Sequence, residues 1–159
     1  MAIRILKEVS RDGGRLPASG ASVIAGVALE LAAAGAVQPY TGAALAEPWG
    51  LASDSNVTQP LQGAGGLTVG VGYDYTNFNR GGLIGAFQNG GVYELYNDGT
   101  GNAMDTTATF VPNAAVFANA TGLADDATLQ AGRDKLGTVV SVSNAGSLTA
   151  MRLVIKLSI

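Results

Sequence analysis

Carboxylates, an oxygen-rich loop and a glycine loop are the parts of this chain whose residue types could do chemistry. Asp125-Asp126 with Asp134 supplies the paired acids that a carboxylate-only glycosidase uses. Asn97-Asp98-Gly99-Thr100-Gly101-Asn102 with Asp105 offers the hard oxygen ligands Ca²⁺ takes, in a spacing that departs from the EF-hand loop. Gly63-Ala64-Gly65-Gly66 resembles a dinucleotide-binding loop only superficially, because the spacing is wrong and a strand pattern follows it. The chain has no histidine and no cysteine, which removes the usual neutral-pH base, the commonest metal ligand and any thiolate. The expectation is therefore no enzyme and no cofactor. Asp125, Asp126 and Asp134 read as solvated turn residues. Whether a Ca²⁺ sits near Asp98 stays open.

Charge is sparse and uneven. Charged residues make up 13% of the 159, against roughly 25% in an ordinary soluble domain. The hydrophobic fraction is 47%, much of it alanine and valine, with 23 glycines. A surface so poor in charge suits a protein covered by partners. Arg4, Lys7, Arg11 and Arg15 crowd the start, whereas Arg80 is the only basic residue from Leu16 to Gly132. An acidic body of this kind repels nucleic acid. Residues 1–21 read as an extended N-terminal arm hinged at Gly13-Gly14, with Arg4, Lys7, Arg11 and Arg15 as candidate docking residues. Trp49, the single tryptophan, is the candidate interface anchor. The apolar run Val23 to Val37 is broken by Glu30 and too short to span a bilayer, so no membrane role is expected.

The elements around these residues read as strands, and the predicted fold class is all-β. Met151, Leu153, Ile155, Leu157 and Ile159 alternate with polar residues, after a β-branched run from Leu136 to Ser143 and a turn cluster at Asn144–Ser147. Leu67 to Tyr75 alternates as well. Leu83–Gln88, Asn89-Gly90-Gly91 and Val92–Tyr96 read as a hairpin around an Asn-Gly turn. Residues 22–37 fit either a helix or a strand. An internal repeat favours the strand. Leu29–Val37 is similar to Val116–Ala124, Gly35 precedes Gly50 by the same interval as Gly122 precedes Gly137, and each later glycine opens an apolar stretch. Residues 22–159 are thus one β-domain of two similar modules, with 62–104 as a central insertion carrying the hairpin.

The segment Leu16-Pro17-Ala18-Ser19-Gly20, then Gly26-Val27-Ala28-Leu29, a glycine turn and Pro48-Trp49-Gly50-Leu51-Ala52, with Leu136-Gly137-Thr138-Val139 as a weaker echo, resembles capsid decoration (cement, head-stabilising) proteins of tailed bacteriophages. The resemblance covers most of residues 16–61 and 105–159. It implies a small β-barrel or β-tulip body bound to the outer capsid surface of the virion. It also implies the major capsid protein as partner, a homo-oligomer (dimer or trimer), synthesis in the bacterial host cytoplasm and no catalytic residues. Two other readings stay open: a phage tail or baseplate β-module, and a carbohydrate-binding adhesive domain presenting Tyr73, Tyr75, Phe78, Tyr93 and Tyr96.

Overall fold

The computed structural model describes residues 3–8, 10–18, 20–53, 84–97, 102–145 and 150–159. The Leu67–Tyr75 run, the Gly63–Gly66 loop and Asp98 lie outside them. Among the described residues the strands are β1 Ile3–Lys7, β2 Arg11–Arg15, β3 Ala28–Leu31, β4 Val37–Pro39, β5 Gly50–Ala52 and β6 Ile84–Phe87. They continue with β7 Val92–Tyr96, β8 Ala115–Ala118, β9 Ala124–Asp125, β10 Lys135–Ser143 and β11 Arg152–Leu157. A 3-10 turn at Ala33–Gly35 is the one helical element among these residues. The ambiguous 22–37 segment is therefore strand, turn and strand. The chain is all-β, as its alternating runs dictate.

The strands form two antiparallel sheets, ordered β2-β6-β5-β3-β4 and β1-β7-β11-β10-β8-β9. Among the described residues neither closes into the expected barrel. The far edges β4 and β9 are short, and each is met by a single parallel bridge, Pro17 to Val37 and Met104 to Ala124. Proline has no N–H to carry a ladder onward at the first of these.

The internal repeat is real and runs at a constant displacement of 87 positions. Leu29 faces Gly50 as Val116 faces Gly137, and Glu30 faces Gln38 as Phe117 faces Asp125. The bonds outside the ladders repeat too. Val37 N–H donates to Leu16 O and Ala18 N–H to Val37 O, as Ala124 N–H does to Ala103 O and Asp105 N–H to Ala124 O. Each hairpin turns on a glycine with positive φ, +75° at Gly35 and +79° at Gly122, where other residues are strained. Each β3-type strand then meets a glycine because the next backbone passes too close for a side chain. A Cβ would lie 2.7 Å from Phe87 O at Gly50 and 2.1 Å from Lys156 O at Gly137. We call β2–β6 the N-terminal module and β7–β11 the C-terminal module.

Alternation assigns the faces. Val27, Leu29, Val37, Ala52, Ile84 and Ala86 form one buried cluster within the N-terminal module. Their neighbours on the opposite face, Ala28, Leu51 and Phe87, join a larger cluster with Tyr93, Leu95, Met104, Val116, Val139, Leu153, Ile155 and Leu157. The modules thus share a core, sealed by the stacked rings of Phe87 and Tyr93 with centroids 4.7 Å apart.

Two expectations about segments are corrected. The start of the chain is not a free arm. β1 pairs with β7 and β2 with β6, and Ile3 is 3% exposed in the shared core. Gly13-Gly14 is a bulge in β2, not a hinge: the register shifts between Asp12 and Arg15, and Gly14 N–H is held by Asp12 Oδ1 at 2.9 Å. Nor does 84–96 form a hairpin insertion. β6 and β7 flank the Asn89-Gly90 turn but pair into different sheets, because both edges of β6 are already taken, by β5 and by β2. The turn joins the modules.

Candidate interaction surface

Asp105, Asp125, Asp126 and Asp134 are each occupied by hydrogen bonds from backbone amides. Asp105 accepts the Thr107 amide at 2.8 Å and hydroxyl at 2.7 Å, and Asn119 Nδ2 at 3.1 Å. The Thr107 bonds hold its pKa below the ordinary aspartate value. Asp125 is pushed up, first by burial, with the contact from Asp126 and the charge of Asp105 adding to it. Asp126 accepts the Thr109 amide at 3.0 Å. Asp134, fully buried, sits apart from these, taking the Thr128 hydroxyl at 2.6 Å and the Leu129 amide. The three acids suggested by sequence therefore hold two separate turns. Among the described residues no three acidic side chains converge as a metal site would require.

The basic residues also separate. Arg4 faces Glu94 at 3.7 Å on the edge of the C-terminal sheet, with Lys7 exposed on the same strand. Arg11 pairs through its backbone with Phe87 in the N-terminal sheet. Arg15 lies 3.6 Å from Asp12, reaches Gly35 O at 3.5 Å and stacks over Trp49, 4.8 Å from the ring centroid. Two of the sequence-predicted residues, Arg15 and Trp49, thus meet, as a cation–π pair. Trp49 is half-buried and packs on the N-terminal cluster. Its repeat equivalent, Leu136, is fully buried.

Beside this pair lies an open groove of 790 Å³ between Gly14–Ala18 and the hairpin turn Ala32–Ala36, with Gln38 also in its lining. Alanine is the commonest residue in its walls, which also carry Arg15, Leu16 and Gln38. Leu16 and Leu31 stand near it, 61% and 49% exposed. In the C-terminal module the positions of Ala18, Ala32 and Gln38 carry Asp105, Asn119 and Asp125, and Asn119 bonds Asp105 across the equivalent gap. A buried brace stiffens the hairpin that carries the turn. Glu30, 6% exposed, accepts Gln38 Nε2 at 2.7 Å, Thr41 Oγ1 at 2.9 Å and Thr41 N–H at 3.0 Å.

A smaller hollow of 440 Å³ opens where the modules meet, lined by Gly42, Ala44, Leu45, Leu129, Gln130 and Arg133. Leu45 is 77% exposed. Gln130 Nε2 bridges the seam to Gly42 O at 2.6 Å. Tyr40 lies buried at the same seam. Its hydroxyl is pushed above the usual tyrosine value by burial first, then by the charges of Asp134, Glu30 and Glu47.

The groove and the hollow bring together small and branched apolar residues, with Arg15 and Gln38 in the first and Gln130 and Arg133 in the second, and what they can do is bury surface against another protein. Sequence reasoning missed both, since alanine carries no chemical signature; the repeat was the only pointer, through the polar-to-alanine contrast between modules. No helix among the described residues is long and apolar enough to cross a membrane. Comparison with protein-family models, curated proteins and solved structures gave no match.

Proposed function

We propose that the protein is a structural subunit of a virion, a decoration protein that binds the outer surface of a tailed-phage capsid and bridges major capsid protein subunits. The observation that carries this reading is the distribution of exposed apolar residues. The alanine groove beside Leu16 and Leu31 and the Leu45–Leu129 hollow are separate patches on a chain with few charges. Several modest apolar contacts engaged together bind a repetitive lattice far more tightly than any one alone. Net charge of −3 disfavours the side facing packaged DNA. Apolar contacts are not screened as exposed ion pairs are, so binding should change little with salt.

The test is binding of the purified protein to emptied, expanded capsids and to compact precursor shells. Saturable, salt-insensitive binding to expanded capsids, with capsids lacking the protein breaking sooner on heating, supports the reading. Binding to neither shell, with co-purification on tails or a glycan, overturns it.

A further inference from the structure

The chain makes its module-to-module contact once but carries the parts for it twice. In the C-terminal module the β8–β9 turn presses on the flank of the N-terminal module. Gly122 O accepts the Ala28 amide at 2.7 Å, and a Cβ on Gly122 would lie 2.8 Å from Ala28 O and 3.3 Å from Tyr40 N. A Cβ on Gly42 would lie 3.5 Å from Ala120. The receiving residues Ala25, Ala28 and Tyr40 are 1%, 0% and 0% exposed in consequence.

Both halves of this contact recur, unfilled among the described residues. The N-terminal equivalent of the pressing turn is Ala32–Ala36, with Ala33 and Ala34 exposed and Gly35 in the same left-handed conformation as Gly122. The C-terminal equivalents of the receiving residues are Pro112, Ala115 and Ala127. Pro112 and Ala127 are exposed and Ala115 is half-buried, flanked by Val111 at 54% and Leu129 at 52%. Since the two surfaces differ, a contact between them is head-to-tail.

We infer that a second copy of this chain docks its Ala32–Ala36 turn on Pro112, Ala115 and Ala127, repeating between chains the contact already made within one. Thr138 and Lys156 stand where the filled site has Leu51 and Phe87. The intermolecular contact therefore buries less apolar surface and is reversible. The interface deepens the proposed cement function by naming how copies join, yet it rests on the repeat rather than on a capsid. Its test uses purified protein alone, so either idea can fail without the other.

Self-association is measured by sedimentation equilibrium from low to high micromolar protein. Wild type should grow in mean mass with concentration. Ala33→Glu and Ala127→Glu should each weaken association about tenfold or more, as a charge forced into a small interface core does. Mixed in equal amounts they should recover one intact contact and stop at a one-to-one pair. A second measurement uses the absence of cysteine. Ala33→Cys mixed with Ala127→Cys should cross-link through a short bismaleimide, and neither should link efficiently to itself. A wild type that stays monomeric, a single variant that associates normally, a mixture that fails to recover or dominant Ala33→Cys self-linking each overturns the inference.

Discussion

Replacing Gly137 by alanine tests the repeat at its tightest point. A Cβ there would sit 2.1 Å from Lys156 O and 3.0 Å from the carbon that bears it. Both are backbone atoms and cannot rotate away, so β10 and β11 must part by about 1 Å, at a cost of about 3 kcal/mol, the upper end for overpacking. Gly132→Ala is the control. It has nothing within 4 Å, and its φ of +92° adds only the left-handed penalty of about 1 kcal/mol. Gly50→Ala, 2.7 Å from Phe87 O, should fall between. Urea unfolding gives the three midpoints, and the Gly137 variant should also melt roughly 6–12 °C below wild type. Trp49 fluorescence reports the N-terminal module, and far-ultraviolet dichroism reports both. Because the modules share a core, the two signals should shift together for Gly137→Ala. Equal midpoints for Gly137→Ala and Gly132→Ala would refute the close approach and with it the register of β10 on β11. A dichroism transition that moved while fluorescence stayed would refute the shared core.

Ile3→Ala should cost about 2–4 kcal/mol, as for a core isoleucine, whereas Ile5→Ala, at a position 45% exposed, should cost a fraction of that; equal small effects in chemical denaturation would restore the free arm. Asp105 has a lowered pKa in the folded chain, so its stabilising contribution is complete above the ordinary aspartate value of 3.8 and is lost as pH falls through the depressed value. Asp105→Asn should flatten this acid limb of a stability-against-pH curve, and an unchanged limb would show that the Thr107 bonds do not matter energetically.

The β10–β11 pair was readable because one face of β11 is buried residue for residue: Met151, Leu153, Ile155 and Leu157 are all at most 3% exposed. The repeat was readable because two positions per module favour glycine, by positive φ at Gly35 and Gly122 and by a close backbone at Gly50 and Gly137. The destinations of β6 and β7 were not. An Asn-Gly turn specifies a local reversal, but which sheet each flanking strand joins depends on partners more than thirty residues away in sequence. The N-terminal strands were misread for a related reason. Arg4 and Lys7 lie on an outer edge, where charge discourages unwanted strand pairing, and edge charges look like an arm when pairing is invisible. The candidate surface left almost no trace, since Ala32–Ala36 has the composition of a helix and acquires meaning only beside its polar counterpart Asn119–Leu123.

That contrast bears on why the two modules diverged. A turn of alanines brings no side-chain rotamer entropy to lose on docking, whereas Asn119 and Thr121 must be held in place by their own bonds to the turn. Glu30 replaces the apolar Phe117 of the other module at a strand position where a buried carboxylate is costly unless satisfied. Its three bonds to Gln38 and Thr41 tie β3 to β4 and to the segment beyond, directly behind the turn. The N-terminal module thus places a polar brace inside the hairpin and exposes apolar residues at its tip, while the C-terminal module does the reverse. A rigid backing with a featureless apolar tip is the arrangement that loses least on binding. On the proposed docking of a second copy, the Ala32–Ala36 hairpin is the part of the molecule that makes the contact, with the Arg15–Trp49 pair beside it.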